Sequence, residues 1–247
     1  MRLSLATSLT AASGSNEPTV PYTLSNVRAF FRADRGVTDI SGKASSWANQ
    51  TAYAITALTQ GTAAARPTIS ANGAAPGRPS LIFDNADDVL TGGALSEWMT
   101  DTTGTVYILS KQTGVDQNNA LAYQNHAQWN RGAYAGVATK VGPLVQAWGF
   151  DTALRATATQ AISLASWNIY RWRHAGGNLF LRLNSAAEGA GVALAAIGDV
   201  ASAVTVGNGA SASPANSEIA AVIALNTDVT ADENTTIMAW LNWYAGL

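Results

Sequence analysis

The chain has 247 residues, a formal net charge of −2 and 12% charged residues, about half the roughly 25% of an average soluble domain. Its 47% hydrophobic content and eight tryptophans supply a sizeable core, which excludes a disordered tail or a stapled mini-protein. The near-neutral balance argues against a nucleic-acid partner, because phosphate contacts need a basic surplus, and the lack of cysteine excludes disulfides, thiolate metal sites and a cysteine nucleophile.

Residues 1–23 are rich in Ser, Thr and Ala, carry Pro18 and Pro21, and show no sustained helical or strand period. They read as an extended N-terminal arm suited to docking in an assembly. A cleaved signal is not expected, since hydroxyl residues interrupt the short apolar stretch after Arg2. No run of about 20 apolar residues occurs to span a bilayer, so no membrane partner is expected. From residue 24 to 247 a single domain is expected, built of short apolar runs separated by Gly, Asn, Asp and Pro, the spacing of many strands and tight connections. The clearest strands are Val27–Phe31, Ser80–Phe83, Val106–Leu109, Asn168–Arg173, Leu179–Leu183, Ala203–Val206 and Ile219–Leu225.

The strongest hairpin runs from Trp167 to Asn184. Leu179, Leu181 and Leu183 alternate with Phe180, Arg182 and Asn184, and Ala175-Gly176-Gly177-Asn178 supplies residues tolerant of positive φ at the turn. Gly207-Asn208-Gly209-Ala210-Ser211-Ala212 fits a glycine-rich phosphate loop, but Ser213-Pro214 breaks the helix such a loop needs, so it reads as a turn. One helix closes the chain. Thr230-Ala231-Asp232-Glu233 forms a capping box, Ile237, Trp240, Leu241 and Tyr244 recur at helical spacing as a stripe expected to lie on the sheet edge, and Gly246 ends it.

The order of these signals resembles the concanavalin A-like (laminin G-like) jelly-roll domains found in lectins, glucanases and phage surface proteins. The resemblance is carried by Phe30-Phe31-Arg32-Ala33-Asp34 with Gly36-Val37, by Ser45-Ser46-Trp47, and most specifically by Gly77-Arg78-Pro79-Ser80-Leu81-Ile82-Phe83-Asp84-Asn85-Ala86-Asp87-Asp88-Val89-Leu90, where Asn85 stands in place of the usual Gly. The central hairpin and the closing strand and helix fit the same pattern; residues 1–23 do not, and about 110–165 match only in being β-like. The resemblance implies an all-β, two-sheet antiparallel jelly-roll sandwich with an N-terminal arm and a short C-terminal helix. It does not imply an activity, because this fold hosts enzymes, lectins and structural modules alike.

Glucanases of this fold place carboxylates at alternate positions of one strand, so that they flank a glycosidic bond. No two acidic residues of this chain are separated by two positions. His126 and His174 lack an HExxH context and there is no GxSxG, so no catalytic residues are assigned and no enzyme is expected. Asp84, Asp87 and Asp88 group hard oxygen ligands suited to calcium, the one cofactor considered; the alternative is that they cap turns. For carbohydrate, Tyr123, Asn125, His126, Trp129, Asn130 and Arg131 combine aromatic faces with planar hydrogen-bonding groups, the chemistry of a shallow sugar site; the alternative is that Tyr123 and Trp129 are core. Trp98 and Trp148 share that ambiguity. Arg171 and Arg173 share a strand face and read as a surface or inter-subunit ion pair.

These readings converge on a non-enzymatic phage virion protein of the capsid or tail surface. Its arm is expected to dock on other virion proteins, it is expected to form a homo-oligomer, and its lectin-like domain to contact host surface polysaccharide. A polysaccharide-degrading hydrolase or lyase and a free carbohydrate-binding lectin are the alternatives.

Overall fold

The structure, a computed structural model, describes residues 17–53, 57–84, 86–112, 119–124, 132–137, 144–150, 154–156, 160–161, 163, 165–197, 203–209, 213–214 and 216–247. In chain order the strands are β1 (Val27–Arg32), β2 (Val37–Ile40), β3 (Lys43–Trp47), β4 (Leu58–Thr59), β5 (Thr68–Ala75), β6 (Arg78–Asp84), β7 (Leu90–Ala94) and β8 (Gly104–Gln112). Next come β9 (Asn119–Gln124), β10 (Gly132–Val137), β11 (Leu144–Phe150), β12 (Leu154–Ala156), β13 (Gln160–Ala161), β14 (Trp167–Ala175) and β15 (Asn178–Leu183). The chain ends with β16 (Val192–Ala193), β17 (Ala203–Val206), β18 (Asn208–Gly209), β19 (Ser213–Pro214), β20 (Asn216–Leu225) and the helix α1 (Ala231–Ala245). Every strand expected from the sequence is present.

Two layers follow from the pairings, all of them antiparallel among the described strands. In the back layer β20 is central: β6 pairs with its first half and β1 with its second, while β8, β14, β15 and β16 follow on its other side. In the front layer β2, β3, β4, β7, β17, β9, β10 and β11 lie in that order, with β12 and β13 both on β11. One bridge, Lys43 to Thr68, links the layers at their margin. The fold is an all-β sandwich.

The core between the layers contains Phe31, Trp47, Leu58, Phe83, Val206 and Trp172, all essentially inaccessible to water. At roughly 1.5–3 kcal/mol for each large apolar side chain, such burial is the main force pressing the layers together. Trp98 belongs to this core at 1% exposure, so it is packing material and not a sugar platform.

A second core lies on the other side of the back layer. Phe30, Tyr107, Ile169 and Ile223, from four adjacent strands, alternate away from the sandwich interior and make an apolar face. Helix α1 covers it with Ile237, Trp240, Leu241 and Tyr244. The stripe therefore lies on a sheet face and not on the sheet edge; an edge offers backbone groups, whereas this face offers the apolar area the stripe needs. Phe30 and Trp240 meet edge to face with ring centroids 4.9 Å apart. The cap is as expected: the Glu233 amide donates to Thr230 Oγ1 at 3.3 Å, the Thr230 amide donates to Glu233 Oε2 at 2.9 Å, and Gly246 takes φ 73° at the end.

The Trp167–Asn184 hairpin is β14 and β15, turning through Gly176 and Gly177 at φ 56° and 70°. In the glycine-rich segment β18 pairs with β19 in a second short ladder, and residues 210–212 lie outside the described residues. Of the arm, residues 17–23 lie on the chain's own sandwich: Pro21 is buried in a short 3-10 turn, and Val20 and Leu24 pack on the helix-side core.

Candidate functional site

The front layer presents one face to the core and the other away from it. Leu58, Leu90, Val204, Val206 and Trp47 face the core, so Thr59, Thr91, Thr205 and Ser46, their immediate neighbours along each strand, occupy the outer face. Register joins these positions into one row: Thr38 pairs with Ser46, Ser46 with Thr59, Thr59 with Thr91 and Thr91 with Thr205. Thr205 pairs in turn with Tyr123, Tyr123 with Tyr134 and Tyr134 with Trp148. Directly paired residues share a sheet face, so the row runs unbroken across the strands, hydroxyl residues at one end and aromatic residues at the other.

Of the sequence-predicted carbohydrate residues, Tyr123 falls in this row. Asn125, His126, Trp129, Asn130 and Arg131 lie outside the described residues. Tyr134 had drawn no attention in the sequence and Trp148 only as an ambiguous aromatic; no local motif links either to Tyr123. Non-local strand pairing does.

The predicted calcium ligands do come together. Asp84 ends β6, and one ligand oxygen from each of Asp84, Asp87 and Asp88 lies within 4.8 Å of the others. The turn-capping alternative is also present in part: the Ala86 amide donates to Asp84 Oδ1 at 2.9 Å and the Asp84 amide to Asp88 Oδ2 at 3.2 Å. Asp88 Oδ1, however, is buried without a hydrogen-bond partner on a residue that is 2% exposed. Burial, followed by the nearby Asp84 charge, pushes the Asp88 carboxyl up to about 6. An orphaned carboxylate oxygen beside two exposed carboxylates fits a hard divalent cation. This segment carries the chain from β6 in the back layer to β7 in the front layer, where Thr91 sits.

Other charged groups satisfy one another. Arg171 Nη2 donates to Glu188 Oε1 at 2.6 Å, Arg173 Nη2 pairs with Glu188 Oε2 at 2.5 Å, and Arg173 Nη1 reaches Asp228 Oδ1 at 3.0 Å. The arginine pair is thus bridged within the chain. Although burial opposes it, the hydrogen bond from Arg173 and the charge of Arg171 hold the Glu188 carboxyl below the usual range. Lys111 pairs with Glu218 at 2.5 Å. His174 is fully buried, and its Nε2 lies 2.7 Å from the Leu194 carbonyl oxygen; burial holds its pKa below the ordinary value. Its role is structural.

No family model matches the chain, and no curated protein matches it by sequence. Solved structures do match. Domain 4 of AbnA, an extracellular GH43 arabinanase of Geobacillus stearothermophilus, solved with arabinotriose, superposes with a TM-score of 0.63 at 11% identity over 89% of this chain and 98% of that one. The shared fold is a β-sandwich. Trypanosoma rangeli sialidase with sialic acid matches with a TM-score of 0.58 at 10% identity over 90% of this chain, which spans 34% of the sialidase. The binding domain of botulinum neurotoxin DC with SialylT gives 0.61 at 8% identity over 90% of this chain and 52% of that one. At such identities the likeness is one of fold.

Proposed function

We propose that this chain is a non-enzymatic carbohydrate-binding β-sandwich whose sugar face is the outer face of the front layer. The observation that carries this reading is the row Tyr123, Tyr134 and Trp148 in register on adjacent strands. Aromatic faces pack on the apolar faces of sugar rings, and the hydroxyls of Thr59 and Thr91, which are at least partly exposed, can exchange hydrogen bonds with sugar hydroxyls. Structural relatives solved with arabinotriose and sialic acid support a glycan-related role. Support for the non-enzymatic part comes from the carboxylates. Glu188 and Glu218 are engaged by cations, and Asp88, whose pKa is raised, is only 2% exposed.

Calcium at Asp84, Asp87 and Asp88 belongs to this proposal as a structural ion securing the passage into β7. The setting we propose is a phage virion surface, with the N-terminal segment docking on other virion proteins and the domain contacting host polysaccharide as part of a homo-oligomer. The low charge and the Ser/Thr-rich arm support it. A glycan array probed with the whole chain, beside a reducing-end assay on the glycans that bind, tests the reading. Specific binding without new reducing ends is expected. Accumulating ends would favour the hydrolase alternative, and an array with no specific signal would overturn glycan binding.

A further inference from the structure

The outer face of the back layer carries a charged feature beside the helix. Ile223, Tyr107, Arg171 and Arg182 pair in succession across β20, β8, β14 and β15, so they form one row on the face that α1 partly covers. The row ends on two arginines directly opposite each other on antiparallel strands, and like charges so placed cost stability. Burial raises the pKa of Tyr107, and the charges of Arg171 and Arg182 both oppose that rise, so both guanidiniums lie within reach of its hydroxyl.

The chain brings anions to this face, but too few. Asn184 takes φ 51° after β15, its Oδ1 accepts the Ile169 amide at 2.7 Å, and the Gly189 amide donates to the Leu181 carbonyl at 3.0 Å, so the returning chain sets Glu188 against the row. Glu188 Oε1 accepts from Arg171 Nη2 at 2.6 Å and from Arg173 Nε at 3.1 Å, and Asp228 Oδ1 accepts from Arg173 Nη1 at 3.0 Å. Arg182 stands outside that network. Among the described residues it joins no ion pair, and its Nη2 makes a long bond of 3.4 Å to the Ser185 carbonyl oxygen. Three guanidiniums therefore face two carboxylates, which leaves one positive charge unmatched.

Unused donors mark where a further anion belongs. Arg171 Nε and Arg182 Nε are both shut off from water without a hydrogen-bond partner, and Arg171 as a whole is only 8% exposed. An unmatched N–H on a buried cation is costly, and a carboxylate has two oxygens, able to take one such N–H from each of two guanidiniums. One carboxylate also cancels the unmatched charge. Arg173 is committed elsewhere: its guanidinium stacks on the Phe180 ring at 4.1 Å, and Glu188 and Asp228 hold its nitrogens. Arg182 is half-buried, and Ser185, Ala186 and Ala187 beyond it are exposed, so an anion reaches the pair from the rim of the sheet.

We propose that Arg171 and Arg182 bind a singly charged oxyanion, the carboxylate of a small organic acid or of an acidic sugar. The site is on the layer opposite the proposed sugar face and does not rest on that reading. The test is calorimetric titration of the whole chain at pH 7 and low salt with acetate, glucuronate and the uncharged methyl ester of glucuronate. Both carboxylates should bind saturably, one per chain, and lose affinity as salt is raised, and the ester should bind at least tenfold more weakly than glucuronate. Glucuronate tenfold or more tighter than acetate identifies an acidic sugar as the source; equal affinities identify a small free acid. Arg182→Gln should abolish carboxylate binding, and Arg182→Lys should weaken it tenfold or more, because an ammonium lacks the planar fork. Without anion, Arg182→Gln should melt no lower than the unaltered chain, since it removes a like-charge contact, so lost binding is not lost folding. No saturable binding of either acid, or acid binding unchanged in Arg182→Gln, would overturn this inference. Ester binding as tight as that of glucuronate would overturn it too and leave carbohydrate binding intact.

Discussion

Glu17 Oε1 accepts a hydrogen bond from Arg32 Nη1 at 2.6 Å, joining the N-terminal segment to a guanidinium that is only 1% exposed. Arg32 also donates through Nε and Nη2 to the two oxygens of Asp34, each at 2.6 Å, and Trp240 Nε1 donates to Glu17 Oε1 at 3.0 Å. A buried cation with one fixed acceptor on its own strand turn gains a second from residue 17, and the helix is tied into the same carboxylate. Burial opposes ionisation of Glu17, yet these hydrogen bonds and the charges of Arg32 and Arg35 hold its carboxyl below the usual range.

Removing residues 1–23 should therefore do more than remove an arm. Deletion through residue 23 removes Glu17 and Pro21 and should lower stability by about 1–3 kcal/mol, as should Glu17→Ala. Denaturant unfolding followed by tryptophan fluorescence measures both. The sign with pH follows from the lowered carboxyl: the Glu17 contribution is fully present above its unfolded pKa near ~4.3 and fades as acid carries the protein down through the lower folded value.

Asp88 should behave in the opposite sense. Its folded pKa, pushed up to about 6, lies above the unfolded value, so this carboxyl favours the fold most at low pH and withdraws that contribution as pH rises through about 6. Asp88→Asn should raise stability at pH 8 in chelator by on the order of 1–3 kcal/mol, with little change at pH 4. Calcium should raise the melting temperature of the unaltered chain at pH 8 and have little effect on the variant. Thermal melts with and without calcium at the two pH values give all four comparisons.

Gly207 follows β17 with φ 94°, and a Cβ there would stand 2.0 Å from the Phe83 ring. Gly207→Ala combines a strained backbone with a clash against a buried aromatic ring, and should cost about 2–4 kcal/mol. Because β17 carries Thr205, the same variant should weaken glycan binding more than a change of equal cost in the helix, such as Trp240→Phe. Binding measured well below each variant's melting temperature distinguishes the two.

Thr230→Ala removes a cap whose hydroxyl accepts the Glu233 amide, and should cost about 1 kcal/mol. Asn26 Nδ2 also donates to Glu233 Oε1 at 2.9 Å, so the capping carboxylate stays anchored and the helix should not unravel. Circular dichroism of the variant should show native helix content at 25 °C with a reduced denaturation midpoint.

Those parts of the molecule governed by local rules were legible in the sequence. The β14–β15 hairpin needed only alternation and two glycines, and the helix needed only its capping box and periodic stripe; both are as expected. The helix position was misjudged because the apolar face beneath it is assembled from Phe30, Tyr107, Ile169 and Ile223, which lie far apart in the chain and become neighbours only through strand order. The proposed sugar face was hidden for the same reason. Linear density directs attention to residues 123–131, whereas pairing unites Tyr123 with Tyr134, Trp148 and Thr205, and β9 and β10 are too rich in Ala and Gly to announce which face is which. The acidic cluster is both close in sequence and assembled in space.

The most direct measurement is a footprint of bound glycan by backbone-amide hydrogen exchange, using the longest neutral oligosaccharide that binds. The account predicts slowed exchange on β17, β9, β10 and β11 with little change on β1, β20 and α1. Protection confined to the back layer or the helix, with those front strands unaffected, would contradict it.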